Sequence, residues 1–222
     1  MSVGAALRSE GDAGTRVLIA AKAPLPGRAK TRLSPPLAPP LAARLAEAFL
    51  TDVLAVARTV DAAAGFLCPQ ADAADLARRF TGVPLVVQEG DGLTGALATG
   101  VRGGVVVVAG DAPGIAAEAI LAAAAAPADV ALGPTRDGGF GLIRMRPHRP
   151  GIFAGIPWST GSVLDRTIAA CRAAGLTVAL LDPVADVDTV DDLAAIDLSR
   201  ARATRAVLAD VGRPTRPGGS GR

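Results

Sequence analysis

Apolar positions along this chain switch between two periods. Short runs rich in β-branched and other apolar residues alternate with longer stretches in which apolar residues recur every three or four positions. The short runs read as strands at Arg16–Ala21, Gly65–Cys68, Pro84–Gln88, the segment from Val105, Val130–Leu132, Phe140–Met145 and Thr177–Leu181. The longer stretches read as helices at Leu41–Val60, Asp72–Phe80, Leu93–Val101, Ile115–Ala126 and Ser162–Ala174. Leu41, Leu45, Phe49, Val53 and Val56 share one face of the first, and Leu164, Ile168 and Cys171 share one face of the last, which stops at Gly175. Thr189, with Asp192 three residues on, forms a capping-box pattern that opens a final helical region.

This alternation predicts an α/β fold, a three-layer α/β/α sandwich around a mostly parallel sheet. The β-branched run from Val105 to Val108 suits a central strand buried on both faces. Phe140–Met145 follows Val130–Leu132 across an Asp-Gly-Gly turn, too soon for a helical crossover. It is expected to pair antiparallel or to lie elsewhere in the sheet. Neither a repeat nor a linker interrupts the pattern, so residues 15–211 read as a single domain. Residues 1–14 and 212–222 read as disordered ends.

Composition narrows the function classes. Half of the 222 residues are apolar, but aromatics are only 3% and Tyr is absent, so Ala, Val and Leu must fill the core. So few aromatics leave no face for stacking bases, and 23 Lys and Arg against 21 acids give a net charge of only +2. Nucleic acid is therefore not an expected partner. No apolar run reaches membrane-span length, and residues 1–15 lack a secretory apolar core, so a cytoplasmic location is expected. Cys68 and Cys171 lie far apart in apolar surroundings and are expected to be buried free thiols.

Charge is uneven locally. After the first strand, Lys22, Arg28, Lys30 and Arg32 fall close together beside Gly27 and several prolines. Such a loop at a strand's carboxyl end suits a diphosphate, or is simply a solvated basic loop. It is not a Walker A loop, because Ala29 stands where a glycine is required. The central strand breaks at Gly110 and delivers Asp111, a candidate ligand for a metal or a ribose, or a turn former. Gly90-Asp91-Gly92-Leu93-Thr94-Gly95 fits a dinucleotide-binding fingerprint with Asp111 as its ribose acid, although it gives the basic loop no task. Asp137-Gly138-Gly139 marks a turn where backbone approaches a ligand closely. Asp186 and Asp188 point the same way if extended, and with Asp111 could hold a hard divalent cation, Mg²⁺ or Mn²⁺. Each of these acids could equally cap a helix or shape a turn. His148 reads as a loop residue, and Trp158 either packs in the core or lines a sugar pocket.

Five segments together resemble one family. They are Ala21-Lys22-Ala23-Pro24 through Gly27-Arg28 and Lys30-Thr31-Arg32-Leu33, Gly110-Asp111-Ala112-Pro113-Gly114, Leu132-Gly133-Pro134 through Asp137-Gly138-Gly139-Phe140, Ile156-Pro157-Trp158-Ser159-Thr160, and Asp186-Val187-Asp188-Thr189. In this order they are similar to the DUF2064 glycosyltransferase-like proteins, relatives of the phospholactate guanylyltransferases. The resemblance implies a GT-A-type nucleotide-diphospho-sugar transferase fold. It implies that Lys22, Gly27, Arg28, Lys30 and Arg32 face phosphates, and that Asp111, with Asp186 or Asp188, holds a divalent ion. Asp137, Gly138, Gly139 and Trp158 would border the sugar or acceptor, with Asp111 and Asp137 the catalytic acids. This chain departs from the family pattern in its single central acid, in Phe140 for the usual Tyr, and in lacking an Arg near Gly95-Ala96-Leu97. The expected activity is sugar transfer from a nucleoside-diphosphate sugar to a small-molecule acceptor. The alternatives are nucleotidyl transfer to a phosphorylated acceptor with pyrophosphate release, and nucleotide binding without catalysis.

Overall fold

The computed structural model describes residues 15–211. The expected disordered ends, 1–14 and 212–222, lie outside them. Seven strands form one sheet in the order β3-β2-β1-β4-β6-β5-β7. They are β1 (Val17–Ala20), β2 (Gly65–Cys68), β3 (Leu85–Val87), β4 (Val106–Ala109), β5 (Val130–Pro134), β6 (Phe140–Met145) and β7 (Val178–Leu180). The helices are α1 (Pro39–Val60), α2 (Gln70–Arg79), α3 (Gly92–Gly100), α4 (Ala117–Ala125), α5 (Val163–Ala173), α6 (Val190–Ala195) and α7 (Arg202–Val211). Every element expected from the pattern is present, shifted by at most a few residues.

The shifts have physical causes. Helix α1 begins at Pro39, earlier than expected, because proline is tolerated in a first turn whose N–H groups lack partners anyway. The final helical region is two helices. Thr189 and Asp192 make the expected capping box at α6. Helix α7 is started from a distance: the buried Asp52 of α1 accepts from the N–H groups of Ala203 and Thr204 and from the Thr204 hydroxyl, at 2.7–2.8 Å.

β4 sits in the middle of the sheet, parallel to β1 on one side. On its other side lies β6, antiparallel to both β4 and β5, and this settles the strand that had two expected positions. The β5–β7 pair is parallel again. One core layer packs α1 and α4 through Val53, Ala57, Ile120 and Ala123 onto one face of the sheet, and the other packs Leu97, Phe153 and Cys171 onto the opposite face. Cys68 and Cys171 are buried and free, and burial pushes each thiol up to about 11.

Arg144 of β6 is nearly fully buried at 1% exposure. Its guanidinium donates to the carbonyls of Ala123, Ala126, Ala128 and Asp129 at 2.5–3.1 Å, closing the C-terminal end of α4 and the turn after it. A cation there also meets the negative end of the helix dipole. Arg144→Met keeps much of the volume but strands those carbonyls in the core. It should cost about 3 kcal/mol of stability, read as a fall in the chemical-denaturation midpoint with little change in slope. An unchanged midpoint would remove this account of the α4–β6 junction.

Candidate functional site

A cleft of about 420 Å³ opens at the carboxyl edge of β1, β4 and β5. This is the edge where open α/β sheets bind ligands. Because β6 runs antiparallel, its beginning reaches the same edge and carries the Asp137-Gly138-Gly139 turn with it. The Asp137 Oδ1 accepts from the Thr135 hydroxyl at 2.5 Å and from the Gly139 N–H at 3.0 Å, which fixes the carboxylate at the mouth. Gly138 has φ +85°, and a Cβ there would stand 2.2 Å from the Gly161 carbonyl, so the turn presses against the segment leading into α5.

From the other end of the chain, the Val187 N–H donates to the Asp111 carbonyl at 2.9 Å. That bond lays Asp186-Val187-Asp188 beside the end of β4. Val187 is buried in a third apolar cluster, with Phe49 and Leu193, while Asp186 and Asp188 line the cleft. The alternation is that of an extended segment. Carboxylate oxygens of Asp137, Asp186 and Asp188 come within 4.8 Å of one another. Burial pushes Asp186 up to about 6, and the negative charges of Asp111, Asp137 and Asp188 add to the shift.

The basic loop meets these acids. Lys30 Nζ donates to Asp111 Oδ2 at 2.6 Å and to Asp188 Oδ1 at 2.8 Å, with its side chain only 13% exposed. Burial works against the Lys30 charge, but the two carboxylates outweigh it and hold its pKa above the usual value. Arg32 pairs with Asp188 at 3.1 Å and lines the cleft. Arg28 pairs instead with Asp72 of α2 at 3.3 Å. Lys22 is exposed at the end of β1, and Gly27, at φ +75°, turns the loop between them. The structure therefore gathers Lys30, Arg32, Asp111, Asp137, Asp186 and Asp188. It sets Arg28 against a helix at the side, and it groups Asp137, rather than Asp111, with Asp186 and Asp188.

The opposite wall is apolar. Leu93 and Leu97 of α3, Phe140 and Trp158 line it. The Trp158 indole N–H donates to the Thr94 hydroxyl at 2.8 Å, and its ring meets Phe140 edge-on at 6.4 Å. Leu93 and Thr94 fall in the glycine-rich segment and Leu97 just after it, but their spacing assigns them no place in an apolar wall, which exists because α3 folds over the cleft. Ser159, beside Trp158, has φ +63°, and Lys30 has φ +48°. Among the described residues these two are the non-glycine residues with positive φ, and both stand at this cleft or its acids.

The glycine-rich segment has a structural task. Gly95 packs where a Cβ would lie 2.5 Å from the Gly90 backbone, and Gln88 Nε2 donates to the Gly90 and Gly92 carbonyls at 2.8 and 3.0 Å. Two strands, β2 and β1, separate β3 from β4, so Asp111 is not beside the glycine turn as a ribose acid must be. His148 is half-buried, a ring N–H donating to the Ala98 carbonyl at 3.0 Å.

Among solved structures, the chain is similar over 88% of its length to 94% of a candidate nucleotide-diphospho-sugar transferase from Desulfovibrio desulfuricans G20, at 29% identity and a TM-score of 0.78. A nucleotidyl transferase from a Methanothermobacter species matches 90% of this chain with all of its own length, at 17% identity and a TM-score of 0.54. The bifunctional IspDF of Campylobacter jejuni matches 83% of this chain with 54% of its own, at 9% identity and a TM-score of 0.53. These last two show a shared fold alone. No curated protein matches the sequence. Residues 38–160, more than half of the chain, match the family described as uncharacterized protein conserved in bacteria (DUF2064). The chain belongs to the DUF2064 family.

Proposed function

We propose that this protein is a transferase that uses a nucleotide-activated donor and a divalent ion, Mg²⁺ or Mn²⁺, and that it moves a sugar from a nucleoside-diphosphate sugar to a small-molecule acceptor. The observation that carries this reading is the grouping of Asp137, Asp186 and Asp188 at the mouth of an apolar-walled cleft on the ligand-binding edge of the sheet. The donor set fits such an ion. It consists of carboxylate oxygens, which hard divalent cations prefer, and it carries more negative charge than its neighbours cancel. The family resemblance and the 29%-identical nucleotide-diphospho-sugar transferase-like neighbour point the same way.

Asp186 and Asp188 would hold the ion from the C-terminal segment, and Asp137, fixed by Thr135 and Gly139, would complete the set. The bound ion supplies positive charge against which a diphosphate can depart. Arg32 and Lys22 approach the phosphates from the basic loop, and Arg28 frames its outer side. Lys30 holds Asp111 and Asp188 at a fixed separation and contributes its own charge to the phosphate side of the cleft. Gly139 lines the cleft, where its backbone can come close to the transferred group near Trp158, and Gly138 seats the turn against Gly161.

Asp188→Asn and Asp137→Asn should each weaken Mn²⁺ binding at least about tenfold, equivalent to about 1.4 kcal/mol. Electron paramagnetic resonance of free Mn²⁺ would read this, with melting curves showing that the fold is retained. Asp111→Asn should cost less, because the oxygens that converge are those of Asp137, Asp186 and Asp188. A larger loss at Asp111 than at Asp137 would move the ion to the Asp111 side.

Lys30→Gln leaves Asp111 without its cation and Asp188 with Arg32 alone. It should lower the melting temperature in the absence of divalent ions and enlarge the rise that Mg²⁺ produces. Equal Mg²⁺ responses in variant and wild type would deny Lys30 this compensating role.

With Mg²⁺ present, a panel of sugar nucleotides should yield nucleoside diphosphate from at least one donor. Pyrophosphate released from a nucleoside triphosphate would replace the proposal with nucleotidyl transfer. Nucleotide-dependent stabilisation without turnover of any donor would make the protein a binding module.

A further inference from the structure

The apolar end of the cleft narrows the choice of acceptor. Charged side chains lining the cleft are Arg32, Asp137, Asp186 and Asp188. The Arg32 guanidinium lies on Asp188 at 3.1 Å, and the nearby Lys30 ammonium is engaged by Asp111 and Asp188. A divalent ion together with Arg32 would only cancel the three carboxylates, and the donor's phosphates would then add negative charge. A phosphorylated or carboxylated acceptor needs cationic donors of its own. Among the described residues the lining provides none around Trp158, Phe140, Leu93 and Leu97.

What that end does provide is a flat apolar surface with a polar rim. Trp158 is half-buried, with its N–H fixed on Thr94 and its ring packed against Phe140 and Phe153, so the ring is held in one orientation. Leu93 is an apolar side chain left 45% exposed in this wall. Ser159 and Thr160 bring hydroxyls to the rim, Ser159 on a left-handed backbone that costs about 1 kcal/mol or more to hold, a feature typical of ligand-contacting segments. An aromatic face next to hydroxyl groups suits the C–H face of a sugar ring. The cleft of about 420 Å³ is of small-molecule size.

We propose that the acceptor is an uncharged, hydroxyl-bearing molecule with an apolar ring face, of the sugar or glycoside class, seated on Trp158 and Phe140. This rests on reading the cleft as the site of a nucleotide-activated donor, and it deepens that reading by excluding phosphorylated acceptors.

The chain offers its own probe. It contains one Trp and no Tyr, so its emission reports on Trp158 alone. The full-length protein with Mg²⁺ and no nucleotide would be titrated with methyl and phenyl glycosides, and in parallel with glucose 6-phosphate and glycerol phosphate. The glycosides should change the emission saturably, at concentrations at least about tenfold lower than the phosphates require. Leu93→Arg, at an exposed position, should narrow or invert that preference by adding a cation to the wall. Phosphates binding as tightly as glycosides to the wild type would overturn the proposal, and so would the absence of saturable change with any of the compounds. The donor reading is checked separately by nucleotide-dependent thermal stabilisation. Its failure leaves the Trp158 titration intact, and the reverse also holds.

Discussion

Four carboxylates, from Asp111, Asp137, Asp186 and Asp188, meet at one edge of the sheet, and the structure around them is arranged to tolerate their mutual repulsion. At an effective dielectric constant of about 20, two unit charges about 5 Å apart repel by about 3 kcal/mol, less where one faces water as Asp137 does. A few such pairs would be a large part of a typical domain's stability of about 5–15 kcal/mol. Lys30 answers half of the problem by binding Asp111 and Asp188 with a single ammonium group. Its contacts span sequence separations of 81 and 158 residues, so one side chain ties the first loop, the central strand and the C-terminal segment together. Asp186, which Lys30 does not reach, remains the strained member, pushed up to about 6. A bound cation at Asp137, Asp186 and Asp188 would answer the other half.

The cleft in turn depends on the reversal of β6. A sheet with only parallel strands would bring strand ends to this edge and nothing else. Inserting β6 antiparallel between β4 and β5 brings a strand beginning there, and with it a glycine turn carrying Asp137. The same reversal places Phe140 at the cleft edge, where Trp158 packs against it. Arg144, on the same strand, anchors the far end of β6 to the turn after α4. The strand is thus fixed at both ends by polar groups that a parallel neighbour would not have positioned in this way.

Much of this was legible from the residues. Strand and helix periods located the seven strands and helices α1 to α5, and the run of valines identified β4 as a central strand, because full burial on both faces leaves a continuous apolar signature. The capping box at Thr189 and Asp192 was readable since its partners are three residues apart. Contacts across the chain were less readable. Nothing in the spacing of Arg28 shows that it meets Asp72, or that Lys30 lies between Asp111 and Asp188; these pairings arise from strand order, which local patterns do not encode. The glycine fingerprint at Gly90–Gly95, which already left the basic loop without a task, fails for the same reason. Its residues make a tight turn into α3, as the pattern says, but β3 lies at the sheet's edge, away from Asp111. Helix α3 was expected and its glycine-rich start was a candidate site segment, but its apolar part in the cleft was not legible, since Leu93 and Leu97 look like any amphipathic pair.

Two backbone outliers connect the acid side of the cleft to its apolar side. Lys30 and Ser159 both hold left-handed conformations that side chains with a Cβ normally avoid, at a cost of about 1 kcal/mol or more each. Neither belongs to a helix interior or a strand, so ordinary packing could relax them. Lys30 is held there by two short ion pairs, and Ser159 sits between Trp158, fixed by Thr94 and Phe140, and Thr160, whose hydroxyl donates to the Pro157 carbonyl at 2.7 Å. Lys30 sets the spacing of the acids, and Ser159 follows the ring that forms the apolar wall. Such strain persists only where surrounding contacts over-determine it. Its placement on both walls indicates a cleft already shaped before a ligand enters, with little reorganisation left for binding to drive.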